Sequence, residues 1–167
     1  MRDRAVVAGL FFAVVALAAV VAQTAPAASG PVVNSATGSG HMVRPDGTFR
    51  SFSFSARKYA DGSVAGQLQL NSRGFDVFVH IRIDCLRVVG NTAYMSGRIT
   101  HTSNPAEGEI GELNRAIVRD NGEGAGVIDQ VSRIPANPGS ADERTCLEEN
   151  EDLFPLRAVQ RGNVQVR

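Results

Sequence analysis

The chain has 167 residues, with 17 basic and 17 acidic side chains, three histidines, two cysteines and no tryptophan. That length suits one domain with its own core. A net charge of zero gives no reason to expect nucleic acid as a partner, because a phosphate backbone demands a basic face.

Met1-Arg2-Asp3-Arg4 is a short, mildly basic start, followed by an apolar run from Ala5 to Ala22. Small residues from Gln23 to Gly30 come next, and Ala25-Pro26-Ala27 fits the small-x-small rule for cleavage. This is the layout of a secretory signal peptide over residues 1–27. A retained anchor is the alternative, since the run approaches the roughly 17 residues a membrane span needs. The run is alanine-rich, however, and no basic stop-transfer cluster follows it. The expectation is therefore a secreted or cell-envelope protein with no membrane contact after cleavage. Residues 28–37 read as a flexible N-terminal segment and 38–167 as a single β-domain. The mature chain would carry 15 basic and 16 acidic residues, and Lys58 is its single lysine.

Beyond the signal, the pattern is period two, punctuated by Gly, Asn and Asp, which marks strands joined by tight turns. The turns fix the registers. A three-residue loop at Pro45-Asp46-Gly47 places Gly40 and Met42 on the apolar face. The same loop type at Ala60-Asp61-Gly62, with Gly62 left-handed, sets Phe52 opposite Leu70, Phe54 opposite Leu68 and Ala56 opposite Gly66. A four-residue turn at Asn71-Ser72-Arg73-Gly74 then sets Leu70 against Phe75, Leu68 against Val77, Gly66 against Val79 and Val64 against Ile81.

The next stretch, "IDCLRVVGNTAYMSG", breaks the alternation. A two-residue turn at Gly90-Asn91 puts Val88 opposite Ala93 and Leu86 opposite Met95. Continuing that register would set Ile83 against Arg98. One extra residue at Cys85-Leu86 instead sets Ile83 against Gly97 and Ile81 against Ile99. The pattern predicts a β-bulge there, aiming Cys85 toward the apolar side. Five strands result, spanning roughly 38–44, 49–59, 63–70, 75–89 and 92–101. Gly40, Ala56, Gly66 and Gly97 interrupt the apolar face, which marks tight curvature or, as the alternative, the floor of a pocket. Residues 102–112 read as a loop, 113–120 and 125–133 as strands around Asp120-Asn121-Gly122-Glu123-Gly124, and 156–166 as a last strand. The fold class is all-β: an antiparallel meander of about eight strands forming a curled sheet, barrel or half-barrel. A two-sheet sandwich is the alternative.

Two cysteines in an exported chain suggest a Cys85–Cys146 disulfide, with Cys146 reaching across from the acidic late segment and two free thiols as the alternative.

The elements "FSFSARKYADGSVAGQLQLN", "DCLRVVGNTAYMSGRI", "VRDNGEGAGVIDQVS" and "RGNVQVR" together resemble a group of uncharacterised exported bacterial β-domains, the post-COAP domains. The resemblance spans most of the mature chain. It implies an exported β-domain and no known activity.

Candidate chemistry is sparse. None of His41, His80 and His101 has metal-ligand spacing with another His or Cys. His80, Arg82, Asp84, Ser96 and Arg98 form a speculative polar face that mixes a base, an acid and a hydroxyl. An ordinary solvated sheet face is the simpler account of them, and Arg82 opposite Arg98 would repel unless Asp84 or an acidic ligand lies between. The Asp120–Gly124 segment with Asp129 has the oxygen ligands of a calcium loop but not its spacing. A turn needing positive φ accounts for it. The acidic run Asp142, Glu143, Glu148, Glu149, Glu151 and Asp152 reads as solvated. No nucleophile elbow, phosphate loop or nucleotide fingerprint is present. The expectation is a secreted, non-catalytic binding or interaction module without metal or cofactor, with a small molecule or an envelope protein as its ligand. An enzyme built on His80, Asp84 and Ser96, and a structural accessory domain of the envelope, are the alternatives.

Overall fold

A computed structural model describes residues 30–43, 47–72, 76–132, 146 and 155–167. The expected signal peptide and the whole acidic run lie outside the described residues, as do Pro45, Asp46 and Phe75. Nine strands are present among the described residues: β1 Val32–Val43, β2 Phe49–Tyr59, β3 Val64–Ser72, β4 Val77–Val89, β5 Thr92–Thr102, β6 Leu113–Arg119, β7 Gln130–Ser132, β8 Leu156–Ala158 and β9 Arg161–Val166. They form one antiparallel sheet in the order β8-β7-β6-β5-β4-β3-β2-β1-β9, curled into a half-barrel.

The first registers follow from the turns. Gly40 stands opposite Phe52, Phe52 opposite Leu70, Phe54 opposite Leu68 and Ala56 opposite Gly66. Gly62 takes the left-handed conformation, with φ of 84°, and its N–H donates to the Tyr59 carbonyl at 2.9 Å. Gly90 does the same in the β4–β5 turn, with φ of 59°, and Val89 pairs with Thr92 across it.

Four boundaries differ from the sequence reading. β1 begins at Val32, so the strand takes up most of the segment expected to be flexible, and Ala36 within it is fully buried. The β3–β4 turn lies two residues later than expected. Leu68 therefore faces Ile81 and Leu70 faces Val79. The slip is even, so every side chain keeps its face. The strand expected at 125–133 shrinks to Gln130–Ser132, because 121–128 is an exposed loop. The last expected strand divides into β8 and β9, which lie on opposite edges of the sheet.

The expected bulge is present, one residue earlier than placed. Ile83 pairs with Gly97, Cys85 with Ser96 and Leu86 with Met95, leaving Asp84 as the extra residue. Leu86 enters the core, so its neighbour Cys85 points to the outer face, opposite to the direction expected. A second bulge, at Thr100, sets His80 opposite His101. No change in apolar phase announces this one.

The core fills the inside of the curl. Phe52 and Phe54 stack with ring centroids 6.2 Å apart, over Gly40 and Gly38 respectively. A Cβ at Gly40 would lie 2.5 Å from the Arg161 carbonyl oxygen, and one at Gly97 2.0 Å from that of Arg82. The small residues therefore permit close strand approach and tight curvature.

The two sheet edges meet through adjacent residues. Val159 donates to the Asp129 carbonyl beside β7, and the next residue, Gln160, donates to the His41 carbonyl in β1, each at 2.8 Å. Along β9 the seam is made by carboxylates. Asp129 accepts from the backbone N–H of Asn121 at 2.9 Å and of Val164 at 2.7 Å. Asp120 accepts from Gly122 at 2.9 Å and from Val166 at 3.0 Å. Two edge N–H groups of β9, which would otherwise lack a strand partner, are satisfied in this way.

Candidate functional site

The outer face of the sheet carries the polar half of the alternation, and the cross-strand pairings arrange it in rungs. One rung runs Arg161, His41, Ser51, Asn71, Phe78 from β9 to β4. The next runs Asn163, Ser39, Ser53, Gln69, His80, His101. The third runs Gln165, Thr37, Ser55, Gln67, Arg82, Arg98. No Asp or Glu stands on these rungs.

A cleft of about 700 Å³ opens where the first rung meets the sheet end, lined by His41, Thr48, Phe49, Ser51, Asn71, Gln160 and Arg161. The size lies within the range of small-molecule sites, roughly 300–1,000 Å³. Phe49 is 63% exposed, the most exposed aromatic side chain among the described residues. His41 and Arg161 are direct cross-strand partners, which places both side chains on one face at one end of the cleft. Among the described residues neither side chain makes a hydrogen bond or ion pair, and the cleft lining holds no carboxylate. The Ser51 hydroxyl donates to the Asn71 carbonyl at 3.4 Å.

The polar face nominated from sequence is divided between different roles. Arg82 and Arg98 do stand opposite one another, both exposed, and Arg98 donates to the Gly111 carbonyl at 2.9 Å. His80 lies against Phe78, with ring centroids 4.5 Å apart, and its Nε2 is buried without a hydrogen-bond partner. Asp84 is exposed at the bulge. Ser96 is 2% exposed, and its hydroxyl oxygen accepts the Cys146 N–H at 3.0 Å. No hydrogen bond joins His80, Asp84 and Ser96.

Ser96 belongs instead to a structural corner around the Cys85–Cys146 disulfide, whose Cα atoms are 5.8 Å apart. Arg87 donates from Nε to the Cys146 carbonyl at 3.0 Å and lies 4.0 Å over the Tyr94 ring. The outer face of β4–β6 is buried here. The segment considered for calcium is a second structural element, because all four carboxylate oxygens of Asp120 and Asp129 already accept backbone N–H groups. A cleft of about 510 Å³ separates this loop from β8–β9. There Glu123 accepts from the Asn163 side chain at 3.2 Å.

The sequence reading missed the first cleft. One signal was available: Phe49 is out of phase with Phe52 and Phe54, so strand parity puts its ring on the polar face. The contribution of Arg161 and Gln160 was not legible, because it depends on β9 returning to pair with β1. Compared with family models, with curated proteins and with solved structures, the chain matches none.

Proposed function

We propose that this protein is an exported, non-catalytic binding module that takes its ligand in the Phe49 cleft at the end of the outer sheet face. The observation that carries the reading is the pairing of an exposed aromatic ring with two side chains, His41 and Arg161, that have no structural partner among the described residues. The carboxylates and the serine considered elsewhere are committed. Ser96 holds Cys146, and Asp120 and Asp129 hold β9. An apolar floor with a few convergent polar groups is the usual composition of a ligand site. The half-barrel interior is occupied by phenylalanine and aliphatic side chains, which leaves the outside for recognition. Export agrees with the N-terminal layout and with a disulfide, which forms and persists mostly in oxidising compartments.

A fragment and monosaccharide screen monitored by amide chemical shifts tests this. Shifts confined to residues around His41, Phe49, Ser51 and Arg161, lost in Phe49→Ala, are expected. Binding that maps elsewhere and survives Phe49→Ala would overturn the assignment of the cleft.

A further inference from the structure

We infer that the ligand is an acidic polysaccharide, a chain of uronic-acid type, that seats one unit in the cleft and runs across the outer rungs toward Arg82 and Arg98. This rests on the cleft being a binding site and adds the chemistry of what it binds.

Three features select that class. First, the cleft offers a ring face, and the C–H face of a pyranose is the polar-molecule surface that packs against one. Phe49 supplies it, with hydroxyl and amide groups of Ser51, Asn71 and Gln160 around the edge for sugar hydroxyls. Second, the charge is one-sided. Arg161 and His41 face each other at the cleft, and no carboxylate lies among its described lining residues. A guanidinium with free donors matches a carboxylate in shape and charge. Third, the positive groups are spread rather than clustered. Arg82 lies four strand spacings from β9, about 19 Å along the surface, and faces Arg98 directly. Between the two ends stand Ser, Thr and Gln side chains with no acid among them; the nearest carboxylates, Asp84 beside Arg82 and Glu123 on Asn163, lie at the margins of the band. A single small anion would satisfy one end only, whereas a polymer with repeated carboxylates and hydroxyls matches the whole band. The near-zero net charge of the chain makes this a local field, not a general attraction for polyanions.

The test titrates the disulfide-bonded protein with oligogalacturonate, with a neutral glucan oligosaccharide of the same length, and with inorganic phosphate. Oligogalacturonate is expected to bind and to weaken as salt is raised, as screening of exposed charges requires. Arg161→Gln and Arg82→Gln are each expected to lower its affinity about three- to tenfold, and Arg161→Lys to restore part of the loss. Both side chains are exposed, so unchanged thermal unfolding confirms that the variants are folded. Equal binding of the neutral glucan, or uronate binding indifferent to both arginines, overturns the acidic class. Phosphate binding as tightly as the oligomer reduces the site to a small-anion pocket and overturns the polymer. If fragments shift the cleft while oligogalacturonate is silent, this inference fails and the binding reading stands. If the cleft is silent to every probe, both fail.

Discussion

In β2, burial alternates residue by residue: Phe52, Phe54 and Ala56 are inside, while Ser53 and Arg57 face solvent. In β6 five consecutive residues, Asn114 to Val118, are all buried. The same sheet therefore has a one-sided half, β1–β3 with β9 continued by residues 77–84 of β4 and 98–101 of β5, and a half covered on both faces around β6, residues 92–97 of β5 and the disulfide corner. Strands buried on one face alternate, and strands buried on both do not. The difference separates recognition from architecture. The one-sided half presents the His41, Arg82 and Arg161 side chains with no hydrogen-bond partner among the described residues, whereas Ser96 and Arg87 on the covered half are held by Cys146.

The largest test of that division removes the staple. Cys85→Ser with Cys146→Ser opens a loop of sequence separation 61, for which the chain-entropy model gives roughly 4 kcal/mol. Urea unfolding of the oxidised protein against the double variant reads this directly. Amide exchange should accelerate most in β5 and β6 and least in β1–β3. Uniform acceleration would erase the distinction between the halves.

The carboxylate seam comes next. Asp129 is 6% exposed and accepts two backbone N–H groups. Asp129→Ala leaves both without that acceptor, at a cost of about 3 kcal/mol. Exchange at the Val164 amide should rise well beyond the global loss. An unchanged Val164 amide would mean that the edge of β9 is protected by something other than this side chain.

Two serines sharpen the comparison at smaller scale. Ser96→Ala removes the acceptor of a buried N–H and should cost about 1–2 kcal/mol. Ser53→Ala, on the exposed rung, should stay within about 0.5 kcal/mol. Equal costs would contradict the assignment of Ser96 to the disulfide corner.

The same division explains what was legible beforehand. Alternation and Gly turns determined the β1–β3 registers to the residue, and a broken alternation located the bulge to within one position. Face assignments survived even where the β3–β4 turn was misplaced, because the error was even. The direction of Cys85 was misread. Moving the bulge by one residue inverts the side chain that follows it, and Leu86 was the better guide to the core. The Thr100 bulge leaves no trace in the apolar pattern, so the His80–His101 pairing was invisible. Nothing local tells that 156–166 crosses from one sheet edge to the other. The Asp120 and Asp129 contacts to β9 are equally non-local, which is why the segment read as a turn and not as a seam. The five polar-face residues lie on strands as expected, but the role of Ser96 depended on where Cys146 sat.

The smallest expected effect bears on what the one-sided half is for. Arg82 and Arg98 are exposed and directly opposed, an arrangement that disfavours the folded state. Arg82→Glu replaces repulsion with attraction and should raise stability by about 0.5 kcal/mol, seen as a higher urea midpoint. If the pair merely faces water, that gain is the whole effect. If the band carries an acidic polymer, the same substitution places a carboxylate in the ligand's path, and oligogalacturonate affinity should fall further than in Arg82→Gln. A variant that is more stable and binds less well would show the arginine pair opposing fold stability while contributing to recognition. One that is more stable and binds equally well would confine recognition to the Phe49 cleft.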